Sequence, residues 1–142
     1  MRNCDLRIAS IAMVFALAPC LCGAQKLAWT KSAAVIEREP GVEELAAYPP
    51  DAQTLRVNPP GFTWTPNEKA KTYRLEVRRA SQPSQSILST EPLSSTVGPL
   101  PRAFDPGEYV WQVVYLDAGG AVAGASKARR FKVPPGIAAI VR

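Results

Sequence analysis

The sequence predicts an all-β domain, built as an antiparallel β-sandwich of about seven strands. Short stretches alternate apolar and polar side chains, and turn-forming residues recur about every ten residues. No long segment with a helical period alternates with these stretches, so a parallel sheet with crossover helices is not expected. The 14 prolines among 142 residues also favour strands and loops over long helices.

The predicted central strand lies between the turn at Pro106-Gly107 and the turn at Asp117-Ala118-Gly119-Gly120. With a two-residue period, one of its faces carries Tyr109, Trp111, Val113 and Tyr115. The other face carries Val110, Gln112, Val114 and Leu116, of which only Gln112 is polar. A strand that is apolar on both faces is expected to be covered on both faces, so it belongs in the middle of the sandwich.

Six further strands are predicted around this one. In chain order they lie at residues 55–57, 62–65, 72–79, 87–89, 94–97 and 128–133. The clearest is 72–79, where Tyr73, Leu75 and Val77 face one side and charged residues face the other. The break at Asn58-Pro59-Pro60-Gly61 cannot lie inside a central ladder. The glycine content of residues 119–127 predicts a flexible hairpin loop.

The first 24 residues have the pattern of a signal peptide. A short basic region precedes an apolar run from Ile8 to Leu21, and small residues precede Gln25, so cleavage is expected after Ala24. An uncleaved membrane anchor and a lipoprotein modified at Cys20 or Cys22 are the alternatives, and the short apolar run disfavours the anchor. The prediction is therefore an exported protein, periplasmic or extracellular, that is not held at the membrane after cleavage.

The predicted organisation has four parts. Residues 1–24 are the signal peptide, 25–50 an N-terminal extension, 51–135 the sandwich domain, and 136–142 the start of a linker or of a truncated continuation. In the extension, Val42, Leu45 and Ala46 have helical spacing, and Pro49-Pro50 would end a short helix there.

Composition restricts the chemistry of the exported chain. There is no histidine, and all three cysteines lie in the predicted signal peptide, so zinc or copper sites of the usual nitrogen and sulfur type are not expected. Ser-His and Cys-His nucleophile pairs are excluded for the same reason. No catalytic residue, cofactor or nucleic-acid partner is predicted. Cleavage would lower the formal charge from +5 to +4, because Arg2, Arg7 and Asp5 are removed.

Two groups of side chains are candidate binding residues. The first is a set of bases, Arg78, Arg79, Arg130 and Lys132, which could converge as a polyanion contact or could simply form a solvated outer face. The second is Trp29, which has no periodic partners and is a candidate for stacking on a sugar ring. The other aromatic residues of the strands, Trp64, Trp111, Tyr73 and Tyr109, fall on inward faces and are interpreted as core.

Several motifs together suggest a family. They are Asn58-Pro59-Pro60-Gly61-Phe62-Thr63-Trp64, Tyr73-Arg74-Leu75-Glu76-Val77, Pro99-Leu100-Pro101, Gly107-Glu108-Tyr109-Val110-Trp111-Gln112-Val113, Asp117-Ala118-Gly119-Gly120 and Arg130-Phe131-Lys132-Val133. From Pro49 to Pro135 the chain resembles immunoglobulin-like and fibronectin III-like sandwich domains. More specifically, it is similar to the N-terminal domain that precedes the catalytic toroid in bacterial heparinase II/III-type polysaccharide lyases.

The resemblance implies a non-catalytic exported module that is accessory to the degradation of acidic polysaccharide. Its partner would be a catalytic toroid domain or the polysaccharide itself. The catalytic groups of such lyases belong to the later domains, so the resemblance assigns no catalytic residue here. A free-standing protein-interaction domain and a carbohydrate-binding domain remain the alternative functions.

Overall fold

The structure is a computed structural model that describes residues 29–30, 33–99 and 102–137. The predicted signal peptide, Leu100-Pro101 and most of the predicted linker lie outside the described residues. Within them the chain is all-β and contains no helix, which confirms the all-β part of the prediction. Accordingly, no helix in these ranges is long and apolar enough to cross a membrane. The strands are β1 (Gln53–Thr54), β2 (Thr72–Arg79), β3 (Leu88–Ser89), β4 (Gly107–Leu116), β5 (Val122–Ala125) and β6 (Arg129–Val133).

All six strands belong to one mixed sheet with β4 in its middle. On one side, β4 pairs antiparallel with the whole of β2, so that Leu75 lies opposite Val113. On the other side, β6 pairs with the first half of β4 and β5 with the end of its second half. The sheet ends with β3, antiparallel to β2, at one edge and with β1, parallel to β6, at the other.

A second layer covers the inner face of this sheet. Isolated bridges join Thr63 to Tyr48 on one side and to Val97 on the other, which brings three extended segments together. Phe62 and Trp64 flank Thr63 and are both fully buried against the sheet. Phe62 packs edge-on against Trp111, with the ring centres 5.4 Å apart. The arrangement is sandwich-like, and its core is the aromatic cluster between the two layers.

The core assignment made from periodicity is confirmed. Trp64, Trp111 and Tyr109 have no exposed surface, and Tyr73 is 6% exposed. Burying rings of this size removes a large apolar area from water, which is the dominant favourable contribution to folding. Trp111 also satisfies its ring N–H, which donates to the Pro49 carbonyl oxygen at 3.1 Å.

Strand predictions are correct where side chains alternate strongly and less good elsewhere. Residues 72–79 match β2, and 128–133 contains β6. Residues 62–65 and 94–97 meet only through an isolated bridge between Thr63 and Val97 and do not form regular strands. The predicted strand at 55–57 is displaced, because β1 lies just before it and Leu55 continues the contact by donating to the Lys132 carbonyl oxygen.

Two predictions about segments outside the clear strands need correction. Residues 119–127 do belong to a hairpin, but they are not a loop throughout, because β5 forms within them and pairs antiparallel with β4. Its residues Val122-Ala123-Gly124-Ala125 have small side chains, so main-chain pairing forms this strand without a visible apolar pattern. The short helix at 42–46 is also absent, and Val42-Glu43 forms a turn. Val42 is fully exposed, so a helix there would have no apolar face to bury, and short helices need such packing.

Candidate functional site

The outer face of the sheet is covered by an N-terminal strap, the described residues 29–30 and 33–37. Its first end is tied to the β2–β3 connection, where the Trp29 N–H donates to the Ser84 carbonyl oxygen at 3.5 Å. Its second end runs beside β5, where Ile36 N–H donates to Ala125 O at 3.0 Å. The strap explains why the central strand is buried on both faces, as the sequence predicted, although the sequence did not indicate which segment covers it.

Trp29 is a packing residue of this strap. Its side chain is only 7% exposed, and the guanidinium of Arg78 lies 4.5 Å from the ring centre. A cation over the face of a tryptophan ring is a favourable electrostatic contact. The Trp29 ring was the candidate for stacking on a sugar, but it is buried and one of its faces is covered by Arg78.

A buried carboxylate, Glu76, holds the strap near its first end, at Thr30. It is 1% exposed and accepts hydrogen bonds from the Thr30 N–H at 3.1 Å and the Thr30 hydroxyl at 2.8 Å. Arg74 Nε and Gln112 Nε2 donate to the same carboxylate at 3.1 and 3.3 Å. Gln112 also donates to the Thr30 carbonyl oxygen at 2.9 Å. A buried charge needs this degree of hydrogen bonding to be tolerated.

Glu76 is a residue that sequence reasoning missed. It lies on the same face of β2 as Arg74 and Arg78, which the sequence predicted to be the charged face. The available signal was Gln112, the single polar residue on the outer face of β4, which lies opposite Glu76 in the antiparallel register. The other residues of this face of β4 are apolar, which indicates that the face is covered. Two polar residues opposite each other on a covered face therefore indicate a buried polar contact.

The four predicted polyanion-contact bases do not form one site. Arg78 and Arg130 lie on either side of Val110 in the register of β2, β4 and β6, so their backbones are about 10 Å apart. Burial lowers the pKa of Arg78, and the neighbouring charge of Arg130 lowers it further. Arg79 alternates to the opposite face of β2, where it pairs with Asp105 at 3.2 Å.

The exposed bases on the outer face have acidic neighbours. The backbone N–H of Arg130 donates to Asp51 Oδ1 at 2.8 Å, which brings that carboxylate to the start of β6. Lys132 lies opposite Glu108 in the register of β4 and β6. A cleft of about 220 Å³ beside these residues is lined by Gln53, Thr54, Glu108 and both bases. Because acidic and basic groups alternate there, this face is only weakly basic.

A second cleft lies at the end of the sheet, on the inner side of β3. It has a volume of about 460 Å³. We name it the Phe104 cleft, and its lining includes Arg79, Ile87, Leu88, Arg102, Phe104 and Tyr109. Arg102 was not among the residues predicted from the sequence, since it is a single base in a proline-bounded loop.

The Asn58 side chain positions one wall of this cleft. Its Nδ2 donates to the Phe104 carbonyl oxygen at 2.7 Å, and the Phe104 N–H donates to Asn58 Oδ1 at 2.8 Å. Asn58 is 5% exposed, so these two bonds are shielded from water. The Phe104 ring then packs on Tyr109, with ring centres 5.0 Å apart, and the Tyr109 hydroxyl donates to Asp105 O at 2.7 Å.

The tyrosines of β4 are held in their neutral form. Burial raises the pKa of Tyr115, and the Glu37 carboxylate adds to this rise. Burial also raises the pKa of Tyr109. In the described ranges, no three acidic side chains come together in a way that could hold a metal ion. The arrangements found here are suited to binding by charge and apolar contact.

Comparison with known proteins adds no family. A scan against models of protein families finds no match to this chain. A search of curated proteins finds no similar sequence either.

Proposed function

We propose that this protein is an exported, non-catalytic module of the fibronectin III-like sandwich type that assists the degradation of acidic polysaccharide. The observation that supports the proposal most is the structural role of the segment Asn58–Trp64, which is central to the resemblance. Phe62 and Trp64 supply the second layer of the core, and Asn58 holds the loop before β4. The motif thus acts as one structural unit, as expected if the chain shares an architecture with the N-terminal domains of heparinase II/III-type lyases.

The proposed sandwich type is supported by the pairing of the strands. The central strand β4 has a long antiparallel partner on one side and two short strands on the other. This sheet is opposite three bridged segments, at Tyr48, Thr63 and Val97. Two packed layers with mainly antiparallel pairing around an aromatic core are typical of such domains.

The proposal is tested by binding and turnover measured on the same sample. The exported chain should bind acidic polysaccharides such as heparin or polygalacturonate more tightly than neutral ones, with an affinity that falls as salt is added. It should not increase the ultraviolet absorbance of an unsaturated uronate product. Equal retention on neutral and acidic polysaccharide supports would contradict the proposed role.

A protein-interaction module is the second candidate, and one surface favours it. On the outer side of the second layer, Tyr48 and Val97 flank Thr63 and are 46% and 48% exposed. Leu45 is close by, since its carbonyl oxygen accepts from the Thr65 hydroxyl, and it is 50% exposed. Apolar side chains that share an exposed face are common in protein contacts. Substituting Tyr48 and Val97 with serine should abolish partner capture without changing polysaccharide affinity if this second function is the correct one.

A further inference from the structure

We propose that the Phe104 cleft is a binding site for one uronate unit of an acidic saccharide. This inference rests on the proposed function and specifies where the saccharide binds. The Phe104 cleft has a volume of about 460 Å³, which falls within the range of small-molecule sites, roughly 300–1,000 Å³.

The cleft combines an apolar floor with a cationic rim. Phe104 supplies a half-buried ring, backed by the fully buried Tyr109, and Ile87 adds an aliphatic side chain that is 40% exposed. Arg79 and Arg102 border this floor. A uronate has the matching pair of features, because its ring presents C–H groups and its carboxylate accepts paired hydrogen bonds from a guanidinium.

Asp105 marks the place where the ligand carboxylate would bind. Its Oδ2 accepts from Arg79 Nη2 at 3.2 Å, yet its side chain is 85% exposed. An ion pair so open to water contributes little to stability, so a ligand carboxylate can replace it at small cost. The guanidinium of Arg79 is kept in place independently, because it also lies 5.2 Å from the centre of the Tyr109 ring.

The walls of the cleft are preorganised. Asn58 fixes the main chain of Phe104 with two hydrogen bonds, and the Tyr109 hydroxyl fixes the carbonyl of Asp105. A site that is ordered before binding does not lose that conformational freedom when the ligand arrives. The outer face, with Arg130 and Lys132, carries Glu108 of β4 opposite Lys132, which disfavours an anion.

The test is isothermal titration of the exported chain with a galacturonate trisaccharide, with its methyl-esterified form as a neutral control. The wild-type chain should bind the acid and not the ester. Arg102→Gln should weaken binding by about tenfold, the effect of losing one hydrogen bond to a charged group. The control variant Arg130→Gln/Lys132→Gln, on the other face, should bind as the wild type does.

Asp105→Asn gives the sharpest outcome. It removes the internal carboxylate from Arg79 and leaves the Asp105 carbonyl, which Tyr109 uses, unchanged. Binding should therefore become about two- to fivefold tighter, which corresponds to the loss of one exposed competing ion pair. A structural role for Asp105 would predict unchanged or weaker binding.

The possible failures are distinguishable. If the acid binds but Arg102→Gln and Asp105→Asn have no effect, or if the outer-face variant alone loses binding, the Phe104 cleft is not the site and the proposed function stands. If the wild-type chain binds no acidic saccharide of any kind, the proposed function fails together with this inference.

Discussion

Gly124→Ala should destabilise the domain, because it forces the N-terminal strap away from β5. A methyl group at this position would lie 2.5 Å from Cγ1 and 2.6 Å from Cδ1 of Ile36, and 3.0 Å from the Ala34 carbonyl oxygen. Carbon atoms in contact are normally about 3.5–4.0 Å apart, so Ile36 would have to retreat by about 1 Å. Ile36 packs against the core, so it has little room to move. Overpacking of this kind costs about 1–3 kcal/mol.

Gly61→Ala is the matched control, since a methyl group there meets no atom within 4 Å. The same chemical change should be neutral there or stabilise by up to about 1 kcal/mol, because alanine restricts the unfolded chain. Urea unfolding gives both free energies, and hydrogen exchange at the Ile36 and Ala125 amides reports the strap itself. Adding Ile36→Ala should relieve the clash and make Gly124→Ala less costly. If Gly124→Ala is as stable as Gly61→Ala and the two amides stay protected, the strap does not dock as described.

Four other outcomes are expected. Trp111→Ala should cost about 3–5 kcal/mol, because it removes a fully buried ring from the core. Trp111→Phe also leaves the Pro49 carbonyl without its donor but keeps a ring in the core, so the melting temperature of Trp111→Ala should fall further. A Trp111→Ala variant that folds normally would refute the core role. Asn58→Ala should cost about 1–3 kcal/mol, since two buried backbone groups of Phe104 lose their partners, whereas a loss within error in urea unfolding would show that the clamp is dispensable. Burial holds the pKa of Tyr115 above its unfolded value of about 10. The stability that the folded protein gains from keeping this hydroxyl neutral is therefore complete below about pH 10 and is lost as the pH rises further. Tyr115→Phe should therefore retain its melting temperature to higher pH than the wild type, and identical profiles would contradict this. Mass spectrometry of secreted material should give a chain beginning near Gln25, and a product beginning at Met1 would contradict export.

The parts of the fold that were predictable are those with strong alternation of large side chains. In β2, Tyr73, Leu75 and Val77 alternate with charged residues, and the structure places them in the core. By contrast, β5 consists of small residues, so its pairing depends on hydrogen bonds to β4 that leave no pattern in the sequence. Position within the sheet, more than intrinsic preference, determines whether such a segment is a strand.

The strap was unpredictable for a related reason. It makes few regular pairs, and its contacts are specific ones from Thr30 to Glu76 and Gln112, far away in sequence. Periodicity reports which face a side chain is on, and it cannot report what lies over that face. The charged pattern of β2 therefore suggested a face exposed to solvent, whereas its one carboxylate, Glu76, accepts a hydrogen bond from the backbone of the strap.

The candidate sites also show that a sequence pattern can point to residues without showing how the fold arranges them. The sequence predicted one group of bases, but alternation separates Arg79 from Arg130 and Lys132, because neighbouring residues of a strand point to opposite faces. Asn58-Pro59-Pro60-Gly61 was correctly identified as a break in the pairing. What the break provides is a side chain that makes two main-chain hydrogen bonds to Phe104, 46 residues later. Since Phe104 forms a wall of the proposed saccharide site, the motif that suggests the family also shapes that site, and the affinity of Asn58→Ala for a uronate should reveal this connection.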